Sequence, residues 1–410
     1  ILNQMLVISV EAAQQKIFER LAPLSSELVN IEDANGRVLA EQLQSDRNLP
    51  PFNRSTFDGV ALCYQSAARG LRSFPVIGTA YAGSPRIELN NLDSCVEIMT
   101  GAPVPENASC VIKIENLKLE DGIATLNDGI DLFEGVGIHP LGSDCPAGNV
   151  LLKPGCTLSA KELSIAASIG KSQLLVSQIP RIAIVTTGDE LVDVCDSPLP
   201  HQIRRSNDLA LQFALQSAGF QKVSRHHIMD SLAETETTVQ SILQDTDILI
   251  LAGGVSKGKR DFLAAALDSV GVAKTFQWVS QCPGKPLWFG DIDRNGKRTL
   301  VFALPGNPVS CFTCLHRFVL PALAEITGKS ACPPTIVKLR SEFSFAPPLT
   351  LFLPVSLSCD ETGQIWAEPL PFNTSGDFIS IAKTQGFVEL PCSESVFPEG
   401  SSHRFYKWSV

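Results

Sequence analysis

The chain lacks the features of a membrane protein, a secreted protein and a disordered one. None of its apolar runs looks long enough to cross a bilayer. Its first residues lack the basic and then apolar pattern of a signal peptide, and the 410 residues contain no charge block or low-complexity tract. We therefore predict a folded, cytoplasmic protein that has no membrane partner.

Positive charge is scarce, and so are patterns that bind structural metals. The chain has 33 Lys and Arg against 43 Asp and Glu, which argues against a general nucleic-acid-binding protein. Its six histidines show no ligand spacing, and its twelve cysteines are scattered. The single C-x-x-C pair, Cys311 and Cys314, lies in an apolar stretch typical of a helix. We interpret these cysteines as core thiols in a reducing compartment rather than as a zinc site or a redox pair.

A chain of this length is too long for one ordinary core, and its patterns change along the sequence. The predicted fold class is α/β plus β, in several domains. An amphipathic helix capped by Ser9 and a second helix over residues 31–41 open the chain. We predict a helical domain of residues 1–45 and 147–179, an inserted β domain of residues 46–146, a mainly parallel α/β domain of residues 180–328, and a small β-barrel domain of residues 329–410.

Strands and helices alternate in the predicted α/β domain. Such a rhythm predicts a doubly wound parallel sheet, whose ligand binds beyond the carboxyl ends of the strands. The predicted strands are residues 181–187, 222–229, 247–254 and 299–304, and the predicted helices are residues 206–218, 232–243, 262–269 and 309–326.

One strand end combines glycines with positive charge. Gly253 and Gly254 directly follow a short apolar run, and glycine lets a ligand approach the backbone closely. Ser256 and three cations, Lys257, Lys259 and Arg260, come next. The segment predicts a bound phosphate, with Asp261 available to hold a metal or accept a proton. A solvated basic turn between a strand and a helix is the alternative interpretation.

Similar loops follow two other predicted strands. One loop contains Thr187, Gly188, Asp189 and Glu190, and the other runs from Leu304 through Pro305, Gly306, Asn307 and Pro308 to Ser310. Three such loops at one sheet edge indicate a ligand-binding site more strongly than any one loop alone. Their carboxylates suit Mg²⁺ and their glycines suit phosphate, although adjacent acids are also common as solvated caps. Lys285, in the turn Cys282-Pro-Gly-Lys-Pro286, would add a mobile cation.

Several motifs, in this order along the chain, resemble one family. The segment Pro50-Pro-Phe-Asn-Arg-Ser-Thr-Phe-Asp-Gly59 is similar to a signature of the molybdopterin molybdenumtransferase family, MoeA, which is related to the E domain of gephyrin. Met99-Thr-Gly-Ala-Pro-Val-Pro105 and the loops at Thr187, Gly253, Pro283 and Leu304 match the same family. The resemblance covers essentially the whole chain.

This resemblance implies an enzyme that inserts molybdenum from molybdate into adenylylated molybdopterin and releases AMP. It implies a Mg²⁺-dependent homodimer, with each site between the α/β domain of one subunit and the Asp58 region of the other. Other proteins of molybdenum cofactor biosynthesis would be further partners. The implied residues are the essential acids Asp58, Asp144, Glu190 and Asp261, of which Glu190 and Asp261 hold the metal; Lys285 and Ser375 at the oxyanion; and Thr187, Gly188, Asp189, Gly253, Gly254, Ser256, Pro305, Gly306, Asn307, Pro308 and Ser310 at the pterin nucleotide.

The chain also departs from the family pattern. His139 and Ser143 replace an Arg and a Glu, Cys282 replaces a Lys, and Arg204 and Arg205 stand where Tyr and Asp are common. We interpret the change from Lys to Cys282 as the loss of a cation from the oxyanion site. Either Arg204 or Arg205 could restore that positive charge. Two other functions stay open, namely an adenylyltransferase that makes the pterin nucleotide and a divergent, non-catalytic scaffold.

Overall fold

The computed structural model describes residues 7–254, 263–294, 296–370 and 376–408. The chain forms two compact units. The first comprises Ile1–Ala40, Pro154–Ser159 and Gln173–Val410, and the second comprises Glu41–Lys153 and Ala160–Ser172.

A six-stranded sheet is the centre of the first unit. Four neighbouring strands are parallel, and an antiparallel strand and a further strand follow at one edge. The four strands that the sequence predicts are confirmed, whereas the last two were missed. In spatial order the strands are Val223–Ile228, Ile182–Thr187, Ile248–Ala252, Lys297–Leu304, Trp288–Arg294 and Ala273–Gln277.

Successive residues of the central strands pack on opposite faces of this sheet. Ile248 and Ile250 belong to one hydrophobic cluster, and Leu249 and Leu251 belong to another. Burial on both faces explains why the strand is a continuous apolar run. The helices that cover the faces are Val10–Phe18, Asn207–Ser217, Leu232–Ile242, Leu263–Ser269, Pro308–Cys314 and Leu320–Ile326, with a π-helical turn at Leu315–Val319 between the last two.

The caps and cysteines of these helices agree with the sequence predictions. The Ser9 hydroxyl accepts a hydrogen bond from the Ala12 N–H at 3.1 Å, which confirms the predicted cap. Cys311 and Cys314 are buried, and burial raises the pKa of the Cys314 thiol to about 12.

The continuous helical segment Pro308–Ile326 is long and apolar enough to cross a membrane, contrary to the sequence expectation, but 72% of its apolar window is buried in the protein. We therefore interpret it as a core helix.

Strands after residue 334 close into a small barrel. Thr350–Cys359 pairs with both Ile365–Pro369 and Gly386–Leu390, which joins the two ends of the sheet. Gln281–Cys282 pairs with the same strand. The remaining elements are Thr335–Leu339, Phe343–Ser344, Val396–Phe397, Ser402–Lys407 and the short helix Phe378–Ile381.

The predicted helix over residues 31–41 is wrong. Ile31–Asp33 forms a single 3-10 turn, and Gly36 then adopts a φ of 79°. The backbone beyond it bonds to other segments, since the Leu39 N–H donates to the Cys156 carbonyl at 2.9 Å. Ser26–Asn30 and Gln173–Ser177 form an antiparallel pair in this part of the unit.

The second unit is mainly β. The predicted hairpin at Asp121 and Gly122 is confirmed, because both residues have positive φ between two antiparallel strands. Its six-stranded sheet has the order Cys110–Lys113, Gly59–Leu62, Cys95–Ile98, Ser73–Ala80, Ile123–Leu126 and Leu117–Glu120. The other elements are the pairs Leu43–Gln44 with Val150–Leu152 and Arg54–Ser55 with Ile138–His139, the helices Tyr64–Ala68 and Ala160–Ser168, and the 3-10 turn Ile114–Asn116. The four domain boundaries drawn from the sequence stay a prediction.

Candidate functional site

Three loops meet at the carboxyl edge of the central sheet. A Cβ placed on Gly253 would lie 3.4 Å from both the carbonyl and the hydroxyl oxygen of Thr187. A Cβ placed on Gly306 would lie 3.5 Å from the Gly253 Cα. The loops that follow three parallel strands therefore touch through backbone atoms, as their sequence positions predicted.

The order of the strands explains why a crevice opens here. From the strand that ends at Thr187 the chain moves to one side of the sheet, and from the strand that ends at Ala252 it moves to the other. The connecting segments leave in opposite directions, so a space remains above the strand ends. Gly253 has a φ of 107°, which suits glycine and leaves the backbone open to a ligand.

This crevice holds a cavity of about 440 Å³. That volume is in the range of small-molecule sites. Pro286 reaches the rim because it precedes the antiparallel strand, whose amino end lies at the same edge. The lining residues are Thr186, Thr187, Glu190, Leu191, Ile203, Arg204, Arg205, Ser206, Asn207, Ala252, Gly253, Gly254, Pro286, Pro305, Gly306, Asn307 and Pro308.

Glu190 is the one acidic residue among those lining residues. Its carboxylate folds over the preceding turn, so a Cβ on Gly188 would meet the two Glu190 oxygens at 2.6 and 2.7 Å. Any side chain at Gly188 would displace this carboxylate. Asp189 points elsewhere, because its Oδ1 accepts a hydrogen bond from the Asp230 N–H at 2.9 Å.

Two arginines supply positive charge to the cavity. The Arg204 Nε donates to the Asp196 carbonyl at 3.1 Å. Arg205 donates through a terminal nitrogen to Asp193 at 2.5 Å, while its buried Nε has no hydrogen-bond partner among the described residues. Hydrogen bonds from the Cys195 thiol and from Arg205 lower the pKa of Asp193 to about 2, so Asp193 is ionised at neutral pH. The charged side chains of the lining are thus two cations and one anion.

A side-chain bond ties two walls of the cavity together. The Asn207 Nδ2 donates to the Gly306 carbonyl at 2.7 Å. Asn207 opens the helix that ends at Ser217, whereas Gly306 belongs to the loop before the helix that begins at Pro308. This bond fixes the position of the Gly306 peptide relative to the arginine loop.

The donor set suits a metal shared with a substrate better than one held by protein alone. Within the described ranges, no three His, Cys, Asp or Glu side chains come together as a metal site. Glu190 offers one carboxylate on the cavity wall. Mg²⁺ at nucleotide sites takes one or two carboxylates together with substrate phosphates and water, so Glu190 fits such an ion.

In the second unit, Asp58 is exposed and firmly oriented. The Thr100 N–H and the Thr100 hydroxyl both donate to the Asp58 Oδ1, each at 2.7 Å. These two bonds, the backbone one first, hold the pKa of Asp58 below its ordinary value. The adjacent Gly59 has no room for a side chain, since a Cβ would lie 1.8 Å from the Ile112 carbonyl oxygen.

Asp144 lies in a small polar cluster of the same unit. The His139 Nε2 is 2.8 Å from its Oδ1, and the Arg54 guanidinium is 4.0 Å from its Oδ2. The Ser143 hydroxyl lies 3.1 Å from the same His139 nitrogen. Ser143 and Asp144 contact the same ring nitrogen of His139. In the catalytic triad of a serine hydrolase, serine and aspartate contact different ring nitrogens of the histidine, so this cluster is not such a triad. His139, which stands where the family pattern has an arginine, lies within hydrogen-bonding distance of this acid.

The structure brings most of the predicted cavity residues together. Thr187, Glu190, Gly253, Gly254 and residues 305–308 line the cavity. Gly188 is buried beneath Glu190, and Ser310 is buried in the first helical turn. Lys285 is exposed beside Pro286 at the rim. The predicted roles of these three residues stay predictions, and Ser256, Asp261 and Ser375 lie outside the described residues.

The sequence interpretation missed part of the wall. It did not assign Leu191, Ile203 or Asn207, which line the cavity. Leu191–Val192 and Ile203–Arg204 form a short parallel pair that positions Arg205 at the cavity. The backbone N–H of Arg205 donates to the Val192 carbonyl at 2.9 Å. A two-residue pair of this kind has no periodic signal in the sequence.

Cys282 does not fit the interpretation of a lost oxyanion cation. It pairs with Leu351, and its side chain packs against the barrel core. Burial raises the pKa of its thiol, and Cys282 is absent from the cavity lining. Its neighbours are apolar because it joins the barrel sheet, which the short motif could not reveal.

Comparisons with known proteins agree with this architecture. Three family profiles match the chain in order: "MoeA N-terminal region (domain I and II)" over residues 8–170, "Probable molybdopterin binding domain" over residues 183–325, and "MoeA C-terminal region (domain IV)" over residues 337–408. A crystal structure of the molybdopterin biosynthesis MoeA protein from Pyrococcus horikoshii is 26% identical, with a TM-score of 0.80. It aligns over 98% of this chain and 100% of that one.

Curated relatives match over the same length. A molybdopterin molybdenumtransferase from Synechocystis is 39% identical over 402 residues, which cover 98% of this chain and all of the relative. Another of the same name, from Staphylococcus epidermidis, is 29% identical over 96% of this chain and 94% of its own length. With these matches along the whole chain and the cavity at the expected sheet edge, the protein belongs to the molybdopterin molybdenumtransferase (MoeA) family.

Proposed function

We propose that this protein is a molybdopterin molybdenumtransferase of molybdenum cofactor biosynthesis. It would insert molybdenum from molybdate into adenylylated molybdopterin and release AMP. The observation that carries the proposal is the convergence of three strand-end loops on one cavity, where Glu190 and two arginines line the wall. Family membership supports the same conclusion.

The glycine loops suit the pyrophosphate of the pterin nucleotide. Backbone at Gly253 and Gly306 is free of side chains, so phosphate oxygens can come within hydrogen-bonding distance. Arg204 and Arg205 would offset the negative charge of that group. The bond from Asn207 to the Gly306 carbonyl keeps the cavity formed before substrate arrives, which lowers the cost of ordering it on binding.

Mg²⁺ fits this site as an ion shared between protein and pyrophosphate. Glu190 would hold it, and Asp261 is the second ligand that the sequence predicts. Such an ion, when bound, withdraws charge from phosphate oxygens and favours departure of AMP. The protein's own part is to orient the phosphates against Glu190 and to keep the molybdate oxyanion near cations such as Lys285, with Ser375 as its predicted hydrogen-bonding partner.

The proposal includes a cytoplasmic homodimer with shared sites. The family resemblance supports a role for Asp58 and Asp144 at the α/β cavity of the partner subunit. Thr100 fixes the orientation of the exposed Asp58 carboxylate, which would hold it ready to meet a ligand. Other proteins of cofactor biosynthesis would deliver the pterin nucleotide and receive the product.

Turnover with defined substrates tests this function. The purified protein is incubated with adenylylated molybdopterin, Mg²⁺ and molybdate, and AMP and pterin-bound molybdenum are measured together. We expect molybdate to be required for AMP release, with one molybdenum bound per AMP. Formation of adenylylated molybdopterin from ATP and molybdopterin would instead identify an adenylyltransferase. Nucleotide binding without either reaction would identify a scaffold.

A further inference from the structure

We propose that Arg205 binds a tetrahedral oxyanion in the cavity. This inference rests on the proposed function and assigns an anion-binding residue within it. The oxyanion is either the phosphoryl group of the nucleotide or free molybdate, since both offer oxygen acceptors in the same tetrahedral arrangement.

The unused part of the Arg205 guanidinium carries this inference. Its side chain is 19% exposed and lines the cavity. The Nε atom is buried and has no hydrogen-bond partner among the described residues. Buried donors of proteins are nearly always paired, so this unpaired donor, in a side chain that lines the cavity, points to an acceptor that arrives with a ligand.

Asp193 holds the guanidinium in place without using all of it. The Asp193 Oδ2 accepts from one terminal nitrogen of Arg205 at 2.5 Å. Guanidinium carries five N–H donors in a planar fork, so one such contact leaves donors for a second acceptor. Because the backbone N–H of Arg205 also bonds to the Val192 carbonyl, both the backbone and the guanidinium of this residue are fixed before a ligand binds.

Arg204 differs from its neighbour in these respects. It is exposed, and its Nε is occupied by the Asp196 carbonyl at 3.1 Å. Two neighbouring arginines at a cavity would ordinarily attract an anion equally, through their charge alone. Here the geometry selects Arg205 as the directional ligand, and a lysine in its place would keep the charge but lose the fork.

Binding measurements on the full-length protein test this assignment. Kd values for AMP and for molybdate are measured separately by calorimetry for wild type, Arg205→Gln and Arg205→Lys. The matched control is Arg69→Gln, which removes an equal charge from an exposed ion pair with Asp93 in the other unit. Thermal unfolding of each variant checks that its fold is retained.

We expect Arg205→Gln to raise one Kd by about tenfold or more, as for a lost charge-assisted hydrogen bond. Arg205→Lys should recover only part of that loss, and the control should bind like wild type. A change for AMP alone identifies the phosphoryl group, and a change for molybdate alone identifies the free oxyanion. Wild-type Kd values for both ligands in folded Arg205→Gln would overturn the inference and leave the proposed function intact. If wild type binds neither ligand, the proposed function fails and the inference fails with it.

Discussion

Thr100 donates its backbone N–H and its hydroxyl to the same oxygen of Asp58, each at 2.7 Å. Both bonds favour the ionised carboxylate and lower its pKa. The contribution of these bonds to stability is therefore complete above the ordinary pKa of an aspartate. It is lost as pH falls through the lowered pKa of the folded protein.

We predict that Thr100→Val raises the pKa of Asp58 toward its ordinary value, because the hydroxyl bond is removed. Thr100→Ser keeps that hydroxyl and should leave the pKa low. The measurement is a titration of the Asp58 carboxyl by carbon-detected NMR. Equal titration midpoints in wild type and Thr100→Val would show that the hydroxyl has no influence on the acid.

We predict that Glu190→Gln lowers Mg²⁺-dependent AMP release by about a hundredfold or more, because loss of even an outer-shell partner of a metal ligand costs about 10–100-fold. The amide has nearly the shape of the acid but no charge, so folding should be retained. Glu325→Gln, at an exposed acid of the helix Leu320–Ile326, is the control. Assays at several Mg²⁺ concentrations would separate weaker metal binding from a direct chemical role, and full activity in Glu190→Gln contradicts the proposal.

We predict that Cys282→Lys destabilises the protein and does not improve the response to molybdate. An ammonium at this position would face the apolar barrel core, at a cost of about 1–3 kcal/mol in the free energy of unfolding. Cys359→Lys, at an exposed position of the barrel, should have little effect. Thermal unfolding and a molybdate titration of AMP release measure the two effects. Tighter molybdate dependence in Cys282→Lys would restore the interpretation that the sequence suggested.

The cavity was predictable because it follows from local patterns and one rule of topology. Short apolar runs gave the parallel strands, and glycine-rich segments marked their carboxyl ends, which must share an edge. The missed strands Ala273–Gln277 and Trp288–Arg294 pair antiparallel with each other, and a turn-rich segment lies between them. No pattern in that segment indicates the edge of a sheet.

Other failures arose where distant segments decide the structure. The stretch after Ile31 has apolar residues at helical spacing, but its backbone bonds are taken by residues near Cys156 and Leu175. Cys282 was placed at the oxyanion by comparison with a motif, whereas its partner Leu351 is remote in sequence. The environment of both stretches depends on tertiary pairing, which no local pattern encodes.

We predict that inactive subunits complement one another. If Asp58 of one subunit serves the cavity of its partner, an equimolar mixture of Asp58→Asn and Glu190→Gln proteins forms hybrid dimers with one intact site. With complete subunit exchange, about a quarter of the wild-type activity should return, since random pairing makes half of the dimers hybrids with one site each. Mass spectrometry of differently tagged subunits verifies the exchange. Absence of recovery despite verified exchange contradicts a shared site.

The proposed function requires above all that the pterin nucleotide binds in this cavity. A crystal structure with AMP, Mg²⁺ and molybdate tests this directly. We expect the phosphate beside Gly253 and Gly306, with the ion against Glu190 and the Arg205 guanidinium within hydrogen-bonding distance of a phosphate or molybdate oxygen. AMP bound away from the carboxyl edge of the central sheet, with this cavity empty at saturating nucleotide, would contradict the account.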